Sequence, residues 1–148
     1  MTIRIDYAEI APGAYRAMGQ LEYYVRHCGL EASLLELVRI RASQLNHCAY
    51  CLDRHTSAAR AAGESEQRIY LLAGWRDAPC YTERERAALA WTEELTLIAD
   101  HSVPDELYQR VQPHFTMEEL VNLTVAIASI NAWNRLVISM RTEVGRPI

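Results

Sequence analysis

A chain of 148 residues, half of them apolar, with a formal charge of −4, can bury roughly 70% of the surface its unfolded form exposes and needs no disulfide or metal merely to fold. The mild acidity and the scatter of the arginines leave no basic stripe for phosphate backbones or an anionic membrane surface, which argues against nucleic-acid and membrane-surface binding. No window reaches about 18 uninterrupted apolar residues, and the N-terminal stretch MTIRIDYAEIAPGAYRAMG lacks a basic flank followed by an apolar core, so the expectation is one cytoplasmic domain over 1–148 with no membrane span.

In chain order the pattern is helical. Residues 13–27, after Pro12, carry Tyr15, Met18, Leu21, Tyr24 and Val25 at helical spacing, and Gly29 offers a stop. A second helix is predicted from Ala32 to about Asn46, with Leu34, Leu35, Val38, Ala42 and Leu45 as its apolar face. The third runs from near Cys48 to Gly63, a C-terminal glycine, and ESEQRIYLLAGW predicts a short fourth. Thr82 and Glu85 form a candidate capping box for a fifth, whose apolar positions are Ala88, Leu89, Trp91, Leu95 and Ile98. Pro104 marks a sixth.

Thr116 opens the seventh, MEELVNLTVAIASINAWNRLVISM, which is apolar around most of its circumference. Such a helix is predicted to be central to the core and to meet another subunit as well. Asn122, Asn131, Asn134 and Arg135 interrupt it and favour a buried helix over a membrane span. Period-2 segments bounded by turn pairs are missing, so the fold class is all-α, a compact domain of about six to eight helices.

The chemistry concentrates in HCAYCLDRH, residues 47–55. With Cys48 at the start of a helix, an advance of about 100° per residue puts Cys48, Cys51 and His55 within roughly 60° of one another. Unpaired backbone N–H groups at a helix N-terminus favour a thiolate, and a histidine on the same face can take or stabilise its proton. Three readings follow: a redox dithiol, a zinc site, or packed thiols, since cysteine is among the most buried residue types. Closed zinc sites take four ligands, and the fourth would have to come from His47, Cys28, Cys80, His101 or His114, none of which lies in a second CxxC or HxxxH. Dithiol chemistry is therefore the preferred reading, with no metal and no cofactor. Cys28 and Cys80 are expected to be packing thiols, and Trp75, Trp91 and Trp133 core or interface residues that could line a pocket.

The segment ELVRIRASQLNHCAYCLDRHTSAARAAGES, Glu36 to Ser65, resembles the core motif of the alkylhydroperoxidase AhpD-like family, within the carboxymuconolactone decarboxylase superfamily. An acidic residue on the preceding helix, Glu36, is followed by CxxCxxxH at Cys48, Cys51 and His55, and weaker similarity extends over nearly the whole chain. The resemblance implies an all-α fold and a thiol-dependent peroxidase whose cysteines cycle between dithiol and disulfide. It implies that Cys51 attacks the hydroperoxide, that Cys48 resolves the sulfenic acid, and that His55 and Glu36 relay protons. Local chemistry leaves the attacking sulfur open, because Cys48 is nearer the helix terminus and Cys51 nearer His55. Glu36 is expected across a helix hairpin from the thiols, buried enough to be perturbed. Some peroxidase members carry histidine just before the second cysteine, where this chain has Tyr50; tyrosine, with an unperturbed pKa of about 10, is no base near neutral pH. By the same resemblance the partners would be a hydroperoxide, a dithiol or lipoyl-bearing electron donor, and copies of the chain itself in a trimer or hexamer. Lactone decarboxylation is the alternative activity, and a redox-sensing or zinc-stabilised helical module the non-enzymatic one.

Overall fold

The computed structural model describes residues 2–100 and 102–145. Among the described residues eight α-helices run in the order α1 (Tyr7–Ile10), α2 (Pro12–His27), α3 (Ala32–Leu45), α4 (Ala49–Ala61), α5 (Glu66–Leu71), α6 (Glu83–Thr96), α7 (Asp105–Val111) and α8 (Met117–Met140), with 3-10 turns after α5 and α7. No strand occurs among the described residues, so the fold is all-α. The seven predicted helices correspond to α2–α8. The additional α1 is a single turn, too short to show periodicity, held by Asp6, whose Oδ1 accepts the Ala8 and Glu9 N–H groups.

Helix ends follow the local chemistry of the sequence. Thr82 and Glu85 form the reciprocal capping box at the start of α6, and Thr116 and Glu119 form a second at the start of α8. Two orphan N–H groups are satisfied at each end, which stabilises the helix start by about 1 kcal/mol. At the end of α4, Gly63 has a φ of 96°, and the N–H groups of Gly63 and Glu64 donate to the Arg60 and Ala59 carbonyls. That pairing defines a Schellman turn, which glycine enters without a Cβ penalty.

Helices α3 and α8 form the hub: α3 packs on α4, α6 and α8, and α8 also packs on α2, α4 and α6. Three apolar clusters result. The largest joins α2, α3, α6, α7 and α8 around Val38, Trp91, Leu123 and Ile127. A second joins α3 to the α5–α6 region around Leu37, Ile40, Leu72 and Leu89. The third lies between the end of α3, the start of α4 and the last turns of α8, and contains Ala42, Tyr50, Ile130, Val137 and both motif cysteines.

Helix α8 is long and apolar enough, by length and composition, to cross a membrane. Here it is a core helix, burying Leu120, Leu123, Ile127, Ile130 and Val137 together with Asn122, Asn131 and Asn134. Two expected faces differ from the structure. Ile98 lies beyond the end of α6 and is 56% exposed, because the helix stops at Thr96. On α2 only Val25 of the predicted stripe is buried, because the helix meets the hub along a narrow line; Tyr24 is exposed and donates its hydroxyl to Asn122 Oδ1 at 2.8 Å.

Candidate active site

The site is built around the corner between α3 and α4. His47, exposed and with a φ of 55°, occupies the left-handed position; its N–H donates to the Gln44 carbonyl at 3.2 Å and that of Cys48 to Ser43 at 2.9 Å. This is a second Schellman turn, with histidine in the place usually taken by glycine. The chain passes through two residues, Asn46 and His47, from the C-terminus of one helix to the N-cap of the next. Cys48 is that N-cap, and its Sγ accepts the Cys51 N–H at 3.4 Å. A sulfur therefore sits where serine, threonine or aspartate more often sits, against the positive end of a helix.

The predicted face is realised: Cys48, Cys51 and His55 are all buried. The two sulfurs are 2.7 Å apart. Removal of one proton leaves the charge on Cys48, whose pKa is lowered by the hydrogen bond from the Cys51 thiol, against the opposing effect of burial, with help from the Cys51 N–H and the Asn134 side chain. Cys51 is pushed up by the neighbouring Cys48 sulfur and by burial. The pair thus holds one readily lost proton and one tightly held proton.

His55 Nδ1–H donates to Glu36 Oε2, 2.8 Å away across the α3–α4 hairpin. The carboxylate fixes the tautomer with Nδ1 protonated and leaves Nε2 as the nitrogen available for proton transfer. Burial would raise the Glu36 pKa, but the hydrogen bond and charge of His55, together with the Arg39 guanidinium, outweigh it and hold the carboxyl below its ordinary range. Arg39 Nη1 donates to Glu36 Oε1 and Nη2 to Glu22 Oε1, each at 2.7 Å. The Arg39 side chain is only 4% exposed, so a fully buried cation lies between two carboxylates. Glu22 also accepts from Arg26 Nε at 2.9 Å. One chain of charge-assisted contacts thus runs from the α2 surface to the histidine ring.

Behind the thiols, Asn46 Nδ2 donates to the side-chain oxygens of Asn131 and Asn134 at 2.9 and 2.8 Å, and Asn134 Nδ2 donates to Ser43 Oγ at 3.1 Å. Asn46 thus ties both α8 asparagines to the α3 end, and Asn134 and Ser43 also hydrogen-bond to Cys51. In front of the thiols lies a cavity of about 290 Å³. Its α4 wall is Tyr50, Cys51, Arg54 and His55; α2 contributes Tyr15, Glu22, Tyr23 and Arg26 around Gly19, and α8 contributes Trp133 and Val137. Tyr50 packs beside the thiols, and burial raises its pKa, with Arg54 opposing; it is no base here.

All four sequence-predicted residues, Glu36, Cys48, Cys51 and His55, come together. Trp133 lines the cavity, whereas Trp75 and Trp91 are core residues. Cys28 and Cys80 pack against the other two apolar clusters. No group of three histidine, cysteine or acidic side chains placed to hold a metal ion occurs among the described residues, and His101 lies outside them. Sequence reasoning missed Arg39, Glu22 and Arg54. Arg39 carried a signal, since its i,i+3 spacing from Glu36 inside an otherwise apolar face marks a buried pair; Glu22 carried none, because its partner is on another helix.

Residues 12–94, from the start of α2 to the last turn of α6 and thus including Glu36, Cys48, Cys51 and His55, match the model of the carboxymuconolactone decarboxylase family. An uncharacterized Bacillus subtilis protein, YdfG, is 46% identical over 140 residues, which is 95% of each chain. A crystal structure from Agrobacterium tumefaciens, of a protein of unknown function provisionally named the antioxidant defence protein AhpD, superposes with a TM-score of 0.95 at 42% identity, covering 99% of this chain and all of that one. An AhpD-core, peroxidase-related protein from Ralstonia eutropha shares the fold, with a TM-score of 0.82 at 20% identity over 93% of this chain and 74% of its own. With more than half of its length matched by the family model and a 42% identical AhpD-named structure covering nearly all of it, the chain belongs to the carboxymuconolactone decarboxylase family, in its AhpD-like group.

Proposed function

We propose that the protein is a thiol-dependent peroxidase that reduces hydroperoxides through a Cys48–Cys51 dithiol/disulfide cycle. The observation that carries this reading is that Cys51 and His55 line one cavity, with the Cys48 sulfur 2.7 Å behind Cys51. The names of the Agrobacterium and Ralstonia relatives, which refer to antioxidant defence and to peroxidases, point the same way.

Cys51 is the attacking sulfur, because it and not Cys48 is among the cavity-lining residues. With both cysteines as thiols, the Cys51 proton passes to His55 Nε2 as the sulfur attacks the terminal peroxide oxygen. The S–O bond forms, the O–O bond breaks, and the alkoxide leaves as the alcohol with a proton from His55. Cys48 then attacks the sulfenic sulfur, the S–S bond forms, and hydroxide leaves as water with the second thiol proton. Glu36 keeps the His55 ring oriented through both transfers. The disulfide returns to the dithiol at the expense of an external dithiol or a lipoyl-bearing donor. Assembly with copies of the same chain belongs to this reading, through the outward row of α8, where Met117 and Val121 are 78% and 63% exposed.

The test is peroxide consumption with dithiothreitol as donor. Cys51→Ser abolishes turnover. Cys48→Ser permits one stoichiometric oxidation and accumulates a sulfenic acid that dimedone traps. Full turnover by Cys51→Ser would remove Cys51 from the attacking role.

A further inference from the structure

The peroxidase reading leaves the organic part of the hydroperoxide undefined, and the cavity has a composition that a simple alkyl chain does not use. On α4, Cys51, Arg54 and His55 stand at i, i+3 and i+4, so a guanidinium shares the wall with the thiol and imidazole, about 4.5 Å further along the helix axis than the sulfur's residue. The other two arginines near the cavity are neutralised: Arg26 pairs with Glu22, and Arg39 with Glu22 and Glu36. Arg54 forms no ion pair among the described residues, and its hydrogen bond goes to the Tyr50 hydroxyl. Three guanidiniums therefore face two carboxylates, with the unbalanced charge at Arg54. The remaining walls are aromatic, including Tyr15, Tyr23 and Trp133, with Tyr15 and Trp133 in edge contact at 6.3 Å between ring centres. The volume of about 290 Å³ lies at the small end of ligand cavities, which begin near 300 Å³.

We infer that the cavity selects hydroperoxides built on a compact aromatic or cyclic body bearing a carboxylate, with Arg54 as the carboxylate-binding, specificity-determining residue; this rests on the peroxidase reading of the same site. A guanidinium offers a carboxylate two parallel N–H donors. The aromatic walls take the flat apolar body, since rings stack or meet edge to face at these separations. With the carboxylate held at Arg54, the hydroperoxide group at the opposite end of the ring is directed along the α4 wall toward Cys51 and His55. Arg54 is exposed, so solvent screens the pair, and the discrimination against a neutral analogue is at most about tenfold.

The experiment compares cumene hydroperoxide with para-carboxycumene hydroperoxide, with dithiothreitol as donor, in the wild type, Arg54→Gln and Arg54→Lys. In the wild type the carboxylate substrate has the higher kcat/KM by up to about tenfold, expressed in KM and shrinking with added salt. In Arg54→Gln the ratio falls to about one, and Arg54→Lys restores part of it. A wild-type ratio near one, or a ratio that survives in Arg54→Gln, overturns the assignment. In parallel, calorimetry measures binding of the non-reactive para-carboxy alcohol and of its amide, which needs no turnover. Tighter binding of the carboxylate by the wild type, lost in Arg54→Gln, supports the assignment even if neither hydroperoxide is consumed, an outcome that would sink only the peroxidase reading. Equal binding of carboxylate and amide, or no binding of either, overturns it.

Discussion

The two walls of the cavity are held by different physics. The α3–α4 hairpin is fixed by apolar packing on both sides of its length and by a two-residue corner, and nearly every side chain that carries the proposed chemistry is buried. Helix α2, which forms the facing wall, buries Val25 alone and is tied to the hairpin through the Glu22 carboxylate. Chemistry that depends on distances of a few tenths of an ångström sits on the rigid wall, and the wall that meets the ligand's body is fastened by polar contacts. Burying a carboxylate with two arginines on it, one enclosed and one in solvent, lets the contribution of each kind of fastening be measured separately.

The largest effect is expected at the rigid wall. His55→Ala removes the group assigned to both proton transfers, and peroxide kcat/KM falls by about 10²–10⁴-fold with the helical circular dichroism unchanged. A smaller loss would shift the proton transfers to the thiol pair itself. Next is the link between the walls. Arg39→Met leaves Glu22 and Glu36 without their buried cation, and breaking a buried pair in this way costs about 3–5 kcal/mol, a fall in melting temperature on the order of 10 °C. The double replacement of Glu22 and Glu36 by Gln in the Arg39→Met background recovers part of that loss, because the stranded charges are gone. A change within 1 kcal/mol for Arg39→Met would mean that the walls are not coupled through this ion pair.

The thiol pair gives an intermediate effect, read as a pH profile. Ultraviolet thiolate absorbance in a Cys28→Ser/Cys80→Ser background titrates one group below the ordinary thiol value of 9.0, assigned to Cys48, and one above it, assigned to Cys51. The sign follows from the pair: a lowered pKa makes Cys48 a thiolate at pH values where a free thiol is still protonated. Cys51→Ser weakens the donor to that thiolate and moves the Cys48 midpoint back toward 9.0. A single midpoint at 9.0 in the parent would contradict the proton sharing. The smallest effect is expected at Arg26, which shares the Glu22 carboxylate with Arg39 but has a side chain 51% exposed. Arg26→Ala changes stability by about 0.3–0.5 kcal/mol, several-fold less than Arg39→Met although both arginines meet the same oxygen.

How much could be read from the sequence divides along the same line as the two walls. Cys48, Cys51 and His55 lie on one helix, where covalent spacing sets the phase, so their common face was legible before any packing was known. Glu36 was singled out by the family resemblance and not by its own spacing, and the short link between α3 and α4 is what sets it beside His55. The Thr82–Glu85 capping box and the Gly63 stop were equally local. The partnership of Glu22 with Arg39, the alignment of Tyr15 with Trp133 and the open guanidinium of Arg54 depend on the angle at which α2 crosses the hub, which tertiary packing decides and no spacing records. The periodic stripe on α2 departs from the structure for the same reason: Val25 is buried, Tyr15 lines the cavity, Met18 and Leu21 are half-buried and Tyr24 is exposed. Ile98 continued the α6 pattern past the point where the backbone turned away.

The left-handed His47 has a consequence for how the family's site can change over time. Because no residue in the corner is spare, its length works as an indexing mechanism. If the N-cap of α4 stayed at the second residue after the Asn46 cap, one inserted residue would carry Cys51 and His55 about 100° further round the helix axis. Substitutions in the walls alter the cavity one side chain at a time, whereas a change of length at the join between α3 and α4 acts on the register of Cys48, Cys51 and His55 together.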